Sequence, residues 1–499
     1  MSFRIGGLAS GMDIDSLVSD LMKAERIPLD KMYQQKQIIE WQRDDYREMN
    51  KLLNELDDEI FDGIFRQSTF LQKSVTSSDE TIVTATAVNA SANTTTTIEV
   101  QQLASAASWS SNNLNYTAAA RTLQFEVQDP GETTTRTVTI DLTATDTLDD
   151  LVTKINQSSL GVTAMKEDIY DSGSGTYVET LVLTRNQTGS GGYIKALDTD
   201  TQSFMENDLG FAFGGDDIMD PTMAGQNAVV KVNGYQMEKT SNNFTINGIN
   251  YTVKNTTTQP VTISTSTDVD SIFDSIVSFV DKYNDVIEKI NGELTEERYR
   301  DYPPLTDEQK EEMTDKQIEL WEEKARSGML RNDSILSGGL NQMRVDLYSS
   351  VTHSDIVEGF SQLSEIGIET SSNYLDRGKL IINETKLREK IQENPDAIYK
   401  LFMADGSTFE EKGIARRLRD TIDNTIEKVE DKAGNTLSTN QQFTLGKRLD
   451  DIADRINAFE DRLMDIEDRY WRQFTAMEKA IQRMNEQSMY LMQQFGAGV

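Results

Sequence analysis

Few residues in this sequence have the types and spacing that enzymatic chemistry needs. Cysteine is absent and His353 is the only histidine in 499 residues. Thiolate metal sites, histidine clusters and most acid–base triads are therefore unavailable. The glycine-rich segment Gly189–Gly192 lacks the Lys-Ser/Thr ending of a phosphate-binding loop. We expect a structural histidine and a turn at these two places.

Adjacent carboxylates are the remaining candidates for acid–base chemistry. A catalytic pair needs a shared pocket that separates the two pKa values. Because the chain holds 83 acidic residues, such pairs arise by chance, and we interpret them as solvated surface. The sequence thus predicts no enzyme, no metal site and no cofactor. The pairs are Asp44–Asp45, Asp57–Asp58, Asp149–Asp150, Asp216–Asp217 and Asp450–Asp451.

Charge and hydropathy disfavour two classes of partner. The net charge of -34 repels phosphate backbones, so we expect no nucleic-acid binding. No apolar run approaches the ~20 residues that span a bilayer, so we expect no membrane insertion. Met1–Gly11 lacks the apolar core of a cleaved secretion signal. These features are typical of a cytoplasmic protein, but also of a protein exported unfolded through a dedicated channel.

The C-terminal segment carries the strongest pattern in the chain. Apolar residues recur at alternating spacings of three and four from Leu445 to Phe495, which keeps one stripe of a helix facing a partner helix. A four-four step around Tyr470 is a stutter, which locally unwinds a supercoil without ending the helix. No proline interrupts the segment, so we expect one helix of roughly 75 Å at ~1.5 Å per residue.

A helix of this length needs a partner, and the N-terminal region has a matching pattern. A short predicted helix ends near Ile27, because Pro28 favours a helix boundary. A heptad pattern then runs from Met32 to Ile60. We therefore expect Leu445–Arg472 to pack against Met32–Ile60.

The middle of the chain favours β-structure. From about residue 73 to 267, threonine, serine, asparagine and valine form alternating runs that glycines separate, as in strands and turns. One predicted helix, Leu148–Gln157, interrupts them. The predicted strands are Thr81–Val88, Thr95–Gln101, Thr137–Leu142, Val162–Met165, Thr180–Thr184, Ala228–Val232, Asn243–Ile246, Tyr251–Lys254 and Pro260–Thr265.

Helical patterns resume after the β-rich region. The charge-dense segment Glu293–Arg326, which contains Pro303–Pro304, is either a solvated helical arm or a partly mobile loop. Both chain ends are thus helical and the middle is β. The predicted fold class is α+β multidomain, with helical, coiled-coil legs from paired N- and C-terminal segments and β-rich head domains inserted between them. The predicted helices in this part are Asp270–Ile290, Leu336–Val351, Glu384–Gln392, Asp396–Phe402 and Ile414–Glu430.

Motifs at both ends resemble those of a known family. Ile5–Leu17 and Leu21–Leu29 resemble the N-terminal signature of the flagellar filament cap proteins, also called hook-associated protein 2. Tyr470–Ala480 and Met484–Leu491 resemble the C-terminal signature of that family. Thr147–Asn156 resembles the strand–helix–strand insertion of other flagellar axial proteins.

The resemblance implies a structural function. Members of the family are exported through the flagellar channel without a cleaved signal peptide and form a ring-like, pentamer-like homo-oligomer at the filament tip. There they prevent loss of flagellin and promote its folding and polymerisation, which filament elongation and motility require. Implied partners are further copies of the chain, flagellin, hook–filament junction proteins, the export apparatus and a dedicated export chaperone. The alternative is a surface adhesin whose β-rich head binds host or environmental ligands.

The resemblance also guides a division of the chain. We expect a terminal leg from 1–40 with 473–499, partly disordered in the monomer, and a helical domain from 41–72 with 270–472. Residues 73–110 with 226–269 would form one head domain, and 111–225 an inserted outer one. The predicted leg and coiled-coil interface comprises Leu17, Leu21, Met32, Ile39, Tyr46, Leu53, Leu449, Ile452, Ile456, Phe459, Leu463, Ile466, Tyr470, Phe474, Met477, Ile481, Met484 and Leu491.

The end of the last helix differs from its beginning. Charged residues alternate in Lys447–Arg472, whereas Gln473–Val499 carries few of them and is rich in methionine. The methionines either fill an ordinary helix core or provide contacts that adapt to a moving partner. We expect Gln473–Val499 and Met1–Met12 to be loose in the isolated subunit and to become ordered on assembly.

Overall fold

The computed structural model describes residues 11–90, 92–171, 175–373 and 376–496. The chain divides into two compact units, a helical unit (Met1–Phe70 with Val269–Val499) and a β-rich unit (Leu71–Asp268). The predicted α+β multidomain fold class is confirmed. The finer division into a terminal leg, a helical domain and two head domains stays a prediction.

The helices lie mainly in the first unit, and only α3 and α4 belong to the β-rich unit. No helix in the described part of the chain combines the length and apolar character needed to cross a bilayer. The helices are α1 (Ile14–Asp62), α2 (Gln67–Phe70), α3 (Leu148–Gln157), α4 (Thr199–Ser203), α5 (Val269–Thr295), α6 (Asp307–Glu311), α7 (Asp315–Arg326), α8 (Ser334–Tyr348), α9 (Glu384–Glu393), α10 (Pro395–Met403), α11 (Ile414–Ala433) and α12 (Thr444–Gly496).

The strands lie mainly in the β-rich unit, and only β15 and β16 belong to the helical unit. They are β1 (Lys73–Ser77), β2 (Val83–Ala87), β3 (Thr94–Gln102), β4 (Ala106–Ser110), β5 (Arg121–Gln128), β6 (Thr135–Leu142), β7 (Val162–Asp171), β8 (Thr176–Thr188), β9 (Tyr193–Ala196), β10 (Ala228–Val232), β11 (Tyr235–Lys239), β12 (Asn243–Ile246), β13 (Ile249–Val253), β14 (Val261–Thr267), β15 (Ile368–Thr370) and β16 (Leu380–Ile382).

Helix α1 is a single element of 49 residues, so the predicted boundary at Pro28 is wrong. The side chain of Asp13 caps its start by accepting a hydrogen bond from the Ser16 N–H at 3.0 Å. A proline inside a helix removes the N–H that would reach the carbonyl four residues earlier, here that of Ala24. Buried side chains on both sides of Pro28, including Val18 and Leu29, pack against α12. This packing keeps the helix continuous despite the missing bond.

The second half of α1 enters the main hydrophobic core of the helical unit. Tyr46, Leu53 and Ile60 are buried there together with residues of α5, α8, α10 and α11. An ion pair reinforces this packing, because Arg419 donates two hydrogen bonds to the carboxylate of Asp57, at 2.6 and 2.8 Å. The heptad positions after Tyr46 therefore serve a multi-helix core and not a two-helix seam.

The segment between α5 and α8 contains two helices, α6 and α7, and is non-helical from 296 to 306 and from 327 to 333, so the helical reading of Glu293–Arg326 describes part of it. Thr306 and Thr314 each begin a short helix with a capping box, in which a glutamine three residues later accepts a hydrogen bond from the threonine N–H. The segment also contacts α1, since the Gln34 side chain donates to the Pro304 carbonyl at 2.8 Å.

The β-rich unit contains four antiparallel sheets built around two hydrophobic clusters. The first cluster lies between a five-stranded sheet of order β1-β14-β3-β10-β11 and a three-stranded sheet of order β12-β13-β2. The second involves two three-stranded sheets, β4-β8-β7 and β6-β5-β9, and the helix α3. Two tight hairpins, β10–β11 and β12–β13, turn at Asn233-Gly234 and Asn247-Gly248, where both residues of each turn have positive φ.

Candidate functional site

The candidate functional site is the pair of terminal helices. Helices α1 and α12 run antiparallel, and two small hydrophobic clusters join them. In the first cluster Leu29 of α1 packs with Ile452, Ile456 and Leu463 of α12. The second cluster consists of Ile14, Val18 and Trp471 with partly buried neighbours. Burial of these apolar side chains is the main contribution to pairing.

Two interhelical hydrogen bonds fix the alignment of the pair. The hydroxyl of Tyr33 donates to Glu460 at 2.7 Å, and the hydroxyl of Tyr470 donates to Glu25 at 3.0 Å. The bond to a carboxylate, together with burial, raises the pKa of both tyrosines above the ordinary value of 10.0. A shift of one residue along either helix would break both bonds.

The structure extends the predicted partner of α12 toward the N-terminus. Leu445–Arg472 was expected to pack against Met32–Ile60, and Tyr33 does bond to Glu460, but the contacts with α12 begin earlier, at Ile14 and Val18 of α1. Of the predicted α1 positions, Met32 packs with the middle of α12, whereas Tyr46 and Leu53 share the main helical core with Leu445 at the start of α12. Ile39 packs at the edge of the main helical core instead. The hydrophobic stripe of α1 changes partner along its length, and a heptad pattern alone does not reveal where.

The predicted interface residues up to Phe474 fall into three groups. Those of α12 from Leu449 to Phe474 are buried or half-buried, as is Met32 in α1. Ile39, Tyr46 and Leu53 belong to the main core of the helical unit or pack against it. Leu17 and Leu21 are exposed and lie outside both clusters with α12. The residues that face the seam but were not predicted are Ile14, Val18, Met22, Leu29 and Trp471.

The C-terminal end of α12, described over residues 473–493, presents apolar side chains to solvent. Met477 and Ile481 are half-buried, whereas Met484 and Leu491 are exposed by 68% and 51%. The neighbouring Met489 and Met492 are exposed as well. Met484, Met489 and Met492 therefore do not fill a helix core in this subunit. A group of exposed apolar side chains with few charges among them is typical of an interaction surface.

The candidate catalytic groups have structural partners. The Nδ1 atom of His353 accepts a hydrogen bond from the backbone N–H of Asp355 at 3.2 Å. Asp45 forms an ion pair with Arg326 at 3.0 Å, and Asp150 caps helix α3. Within the described ranges no three His, Cys, Asp or Glu side chains come close enough to hold a metal ion. Gly189–Gly192 connects β8 to β9.

Family models match most of the chain. The model of the flagellar hook-associated protein 2 C-terminus matches residues 225–486, and that of the N-terminus matches residues 10–107. A third model, the flagellin hook IN motif, matches residues 122–178, which contain α3. None of these three descriptions names a catalytic family.

Individual proteins give the same result over nearly the full length. Flagellar hook-associated protein 2 of Halalkalibacterium halodurans is 33% identical, with 99% of each chain covered. The A-type flagellar hook-associated protein 2 of Pseudomonas aeruginosa is 26% identical, over 98% of this chain and 96% of the relative. The crystal structure of the D1-D2-D3 domains of the Escherichia coli flagellar cap protein FliD shares the fold, with a TM-score of 0.56 and 22% identity over 82% of this chain and 99% of that one.

These matches confirm the resemblance that the terminal motifs indicated. The two terminal models cover all of α1 and α12 as far as residue 486. The identity of 33% to the Halalkalibacterium halodurans protein, over 99% of each chain, exceeds what chance similarity gives. The chain belongs to the flagellar hook-associated protein 2 family.

Proposed function

We propose that this chain is the cap of a bacterial flagellar filament. It occupies the distal tip, prevents loss of exported flagellin and promotes the folding and polymerisation of flagellin into the growing filament. It acts by holding and shaping other polypeptides and catalyses no covalent step. Filament elongation, and hence motility, depends on it.

The observation that carries the proposal is the exposed C-terminal end of α12 in a member of this family. Helix α12 extends past Trp471, the last apolar α12 residue that is buried in the seam with α1, and then exposes Met484, Met489 and Leu491. A long helix that ends in uncovered apolar side chains is suited to bind another helical surface. Methionine side chains tolerate small shifts of such a partner, as the addition of successive subunits requires.

The proposal includes an assembly and a route. Several copies of the chain form a ring, which we propose to be pentamer-like, and the ring contacts flagellin. Before the filament grows, the ring contacts the hook–filament junction proteins. The chain reaches the tip through the flagellar channel, by way of the export apparatus and a dedicated export chaperone, and without a cleaved signal peptide.

The adhesin alternative has less support. The matched families and the relatives described above are flagellar proteins, and none of their names refers to adhesion. The β-rich unit would have to bind a host or environmental ligand while filaments formed normally without the chain. We therefore retain adhesion only as an outcome of the experiment below.

A gene deletion with complementation tests the proposal. Deletion should abolish full-length filaments and motility and release flagellin into the medium, and the wild-type gene should restore both. A variant with Met484→Glu and Leu491→Glu places charge on the exposed apolar surface and should fail to restore filaments, although the subunit folds. The matched control, Gln487→Glu with Gln493→Glu, adds the same charge at polar positions and should restore them.

Two results would contradict this function. Full-length filaments and normal motility after deletion would refute the cap and would favour the adhesin. Complete rescue by the Met484→Glu, Leu491→Glu variant would show that the C-terminal end of α12 is not the working surface.

A further inference from the structure

Strands β7 and β8 extend beyond the sheet to which they belong. They pair antiparallel from Val162 with Arg185 to Asp171 with Thr176. The third strand, β4, ends at Ser110 opposite Val182. Ser111 still bonds to Leu181, donating its N–H to the Leu181 carbonyl and accepting the Leu181 N–H with its hydroxyl, both at 2.9 Å. The remaining part is a two-stranded ribbon, formed by residues 167–171 and 176–180. A two-stranded ribbon is only marginally stable in water by itself.

The outer edge of β7 is occupied at one position and open beyond it. The side-chain amide of Asn156 accepts a hydrogen bond from the Ala164 N–H at 2.7 Å and donates one to the Ala164 carbonyl at 2.9 Å. Asn156 thus pairs with Ala164 as a neighbouring strand would. In an antiparallel ladder every second residue directs both backbone groups away from its partner strand. Lys166, Asp168 and Tyr170 therefore also direct theirs outward.

These outward groups have no recorded hydrogen-bond partner within the described ranges. The side chains of β7 are exposed from Met165 to Tyr170. Five exposed residues of β7 and β8 in this region are large and apolar. The rings of Tyr170 and Tyr177 lie edge to face, 5.4 Å apart, while Tyr177 is 72% exposed. An open strand edge with apolar neighbours is a template for a further strand. The five apolar residues are Met165, Ile169, Tyr170, Tyr177 and Val178.

Charge indicates what kind of strand fits. Lys166 is neutralised by Asp149 at 3.0 Å and by Glu179 at 3.6 Å. Glu167 and Asp168 are exposed and form no ion pair with a described residue. The edge therefore carries uncompensated negative charge. A partner with lysine or arginine would complement it, whereas the same acidic ribbon of a second copy would be repelled.

We propose that the β7 edge from Lys166 to Tyr170 binds an extended segment of another polypeptide, which adds to the sheet as a strand. The backbone of the added strand bonds to Lys166, Asp168 and Tyr170. Its apolar side chains cover Met165 and Ile169 on one face and Tyr170 on the other. Two basic side chains near its centre lie beside Glu167 on the first face and beside Asp168 on the second. Main-chain bonds give affinity in this mode, and the alternating side chains give specificity.

A synthetic strand tests the site on the full-length chain. The probe is a fluorescent, blocked nine-residue peptide of alternating valine and threonine with two lysines near its centre, and fluorescence anisotropy measures binding. Asp168→Pro removes the outward N–H, which is not used in pairing with β8, and is therefore tolerated at an edge. Asp168→Asn is the matched control, because it removes the same charge and keeps the N–H.

We expect saturable binding to the wild-type chain, a loss of about threefold for Asp168→Asn and a loss of at least about tenfold for Asp168→Pro. Thermal unfolding midpoints of the two variants should agree, which shows that the proline leaves the fold intact. A peptide with glutamates in place of the lysines should bind more weakly. Equal affinities of Asp168→Pro and Asp168→Asn would overturn the proposal.

Sedimentation velocity tests the alternative that a second copy of the chain occupies the β7 edge. If the wild-type chain dimerises and Asp168→Pro abolishes the dimer, while the peptide does not bind, then the edge serves a second copy and the proposal is wrong. A wild-type chain that does not dimerise through this edge but binds the lysine peptide supports it.

Discussion

At the residue scale, the structure depends on carboxylates that hold arginines across long sequence distances. Asp129 accepts hydrogen bonds from Arg136 and from Arg185, the latter at 3.0 Å. The side chain of Arg185 is buried, so the carboxylate compensates a charge that water does not reach. The bond from Arg136, together with that from Arg185, lowers the pKa of Asp129 below its ordinary value of 3.8.

Asp129→Asn should therefore destabilise the β-rich unit. At pH 7 the free energy of unfolding should fall by about 2–3 kcal/mol, because Arg185 would keep its charge without a counter-charge. The folded-state pKa of Asp129 is depressed, so its contribution is present above 3.8 and is lost as the pH falls through the lower folded-state value. Urea unfolding at several pH values measures this.

The neighbouring Glu132→Gln is the control for Asp129→Asn. Glu132 is exposed and its carboxylate is in no ion pair with a described residue, so its loss should change stability by less than about 0.5 kcal/mol. The difference in unfolding free energy between Asp129→Asn and Glu132→Gln should become smaller at the lowest pH values measured. A difference that stayed constant with pH would contradict the role assigned to Asp129.

At the element scale, helix α1 shows how packing overrides a local signal. Pro28 lies inside it, and the buried contacts of Val18 and Leu29 with α12 offset the cost of the missing hydrogen bond. A proline in a helix interior costs about 3 kcal/mol relative to alanine. The helix is therefore expected to open locally more easily near Pro28 than near Tyr46.

Pro28→Ala should strengthen α1 around residues 24–32. The alanine N–H can bond to the Ala24 carbonyl, and local opening should become less favourable by about 1–3 kcal/mol. Amide hydrogen exchange on the isolated subunit measures this. Lys31→Ala, at an exposed position of the same helix, should have little effect. Faster exchange in Pro28→Ala would show that the proline is needed for the geometry of α1.

The methionines of α12 give a second test at this scale. Replacing the exposed Met484, Met489 and Met492 by leucine keeps their volume and apolar character but removes the flexible thioether. The thermal midpoint of the subunit should not change, whereas filament growth in complemented cells should slow. Fluorescence microscopy measures the growth of filament length over time. Unchanged growth would count against adaptable contacts.

Sequence patterns identified elements better than their partners. The strands Ala228–Val232 and Asn243–Ile246 and the helix Leu148–Gln157 have the predicted bounds. Strand β5 was missed although Leu123, Phe125 and Val127 alternate with polar residues as a half-buried strand requires. Strand β4 was not predicted either. It is short and rich in alanine and serine, and it pairs with residues of β8 that are more than 70 positions away.

In the candidate site too, the sequence predicted the helix better than the partners of that helix. The spacing in Leu445–Phe495 predicted one long helix, and α12 confirms it. The pattern did not predict that from Tyr46 onward α1 enters a core that α5, α8 and α11 share with Leu445 of α12. Which helices share a core depends on contacts between segments hundreds of residues apart, such as Arg419 with Asp57. No local pattern encodes those contacts.

At the scale of the whole molecule, the two chain ends belong to one unit and the β-rich insert forms the other. The hook-associated protein 2 models match both flanks, and a flagellin motif matches residues 122–178 within the insert. We infer that the helical unit carries the shared capping role and that the insert provides additional contacts, including the β7 edge.

The central claim is that this chain caps the filament. Cryo-electron tomography of filament tips from wild-type and deletion cells tests it most directly, with gold-labelled antibody against the chain as a marker. We expect a ring of density and label at the distal tip of wild-type filaments, and neither in the deletion strain. Identical tips in the two strains, or label along the filament or cell surface and not at the tip, would contradict the account.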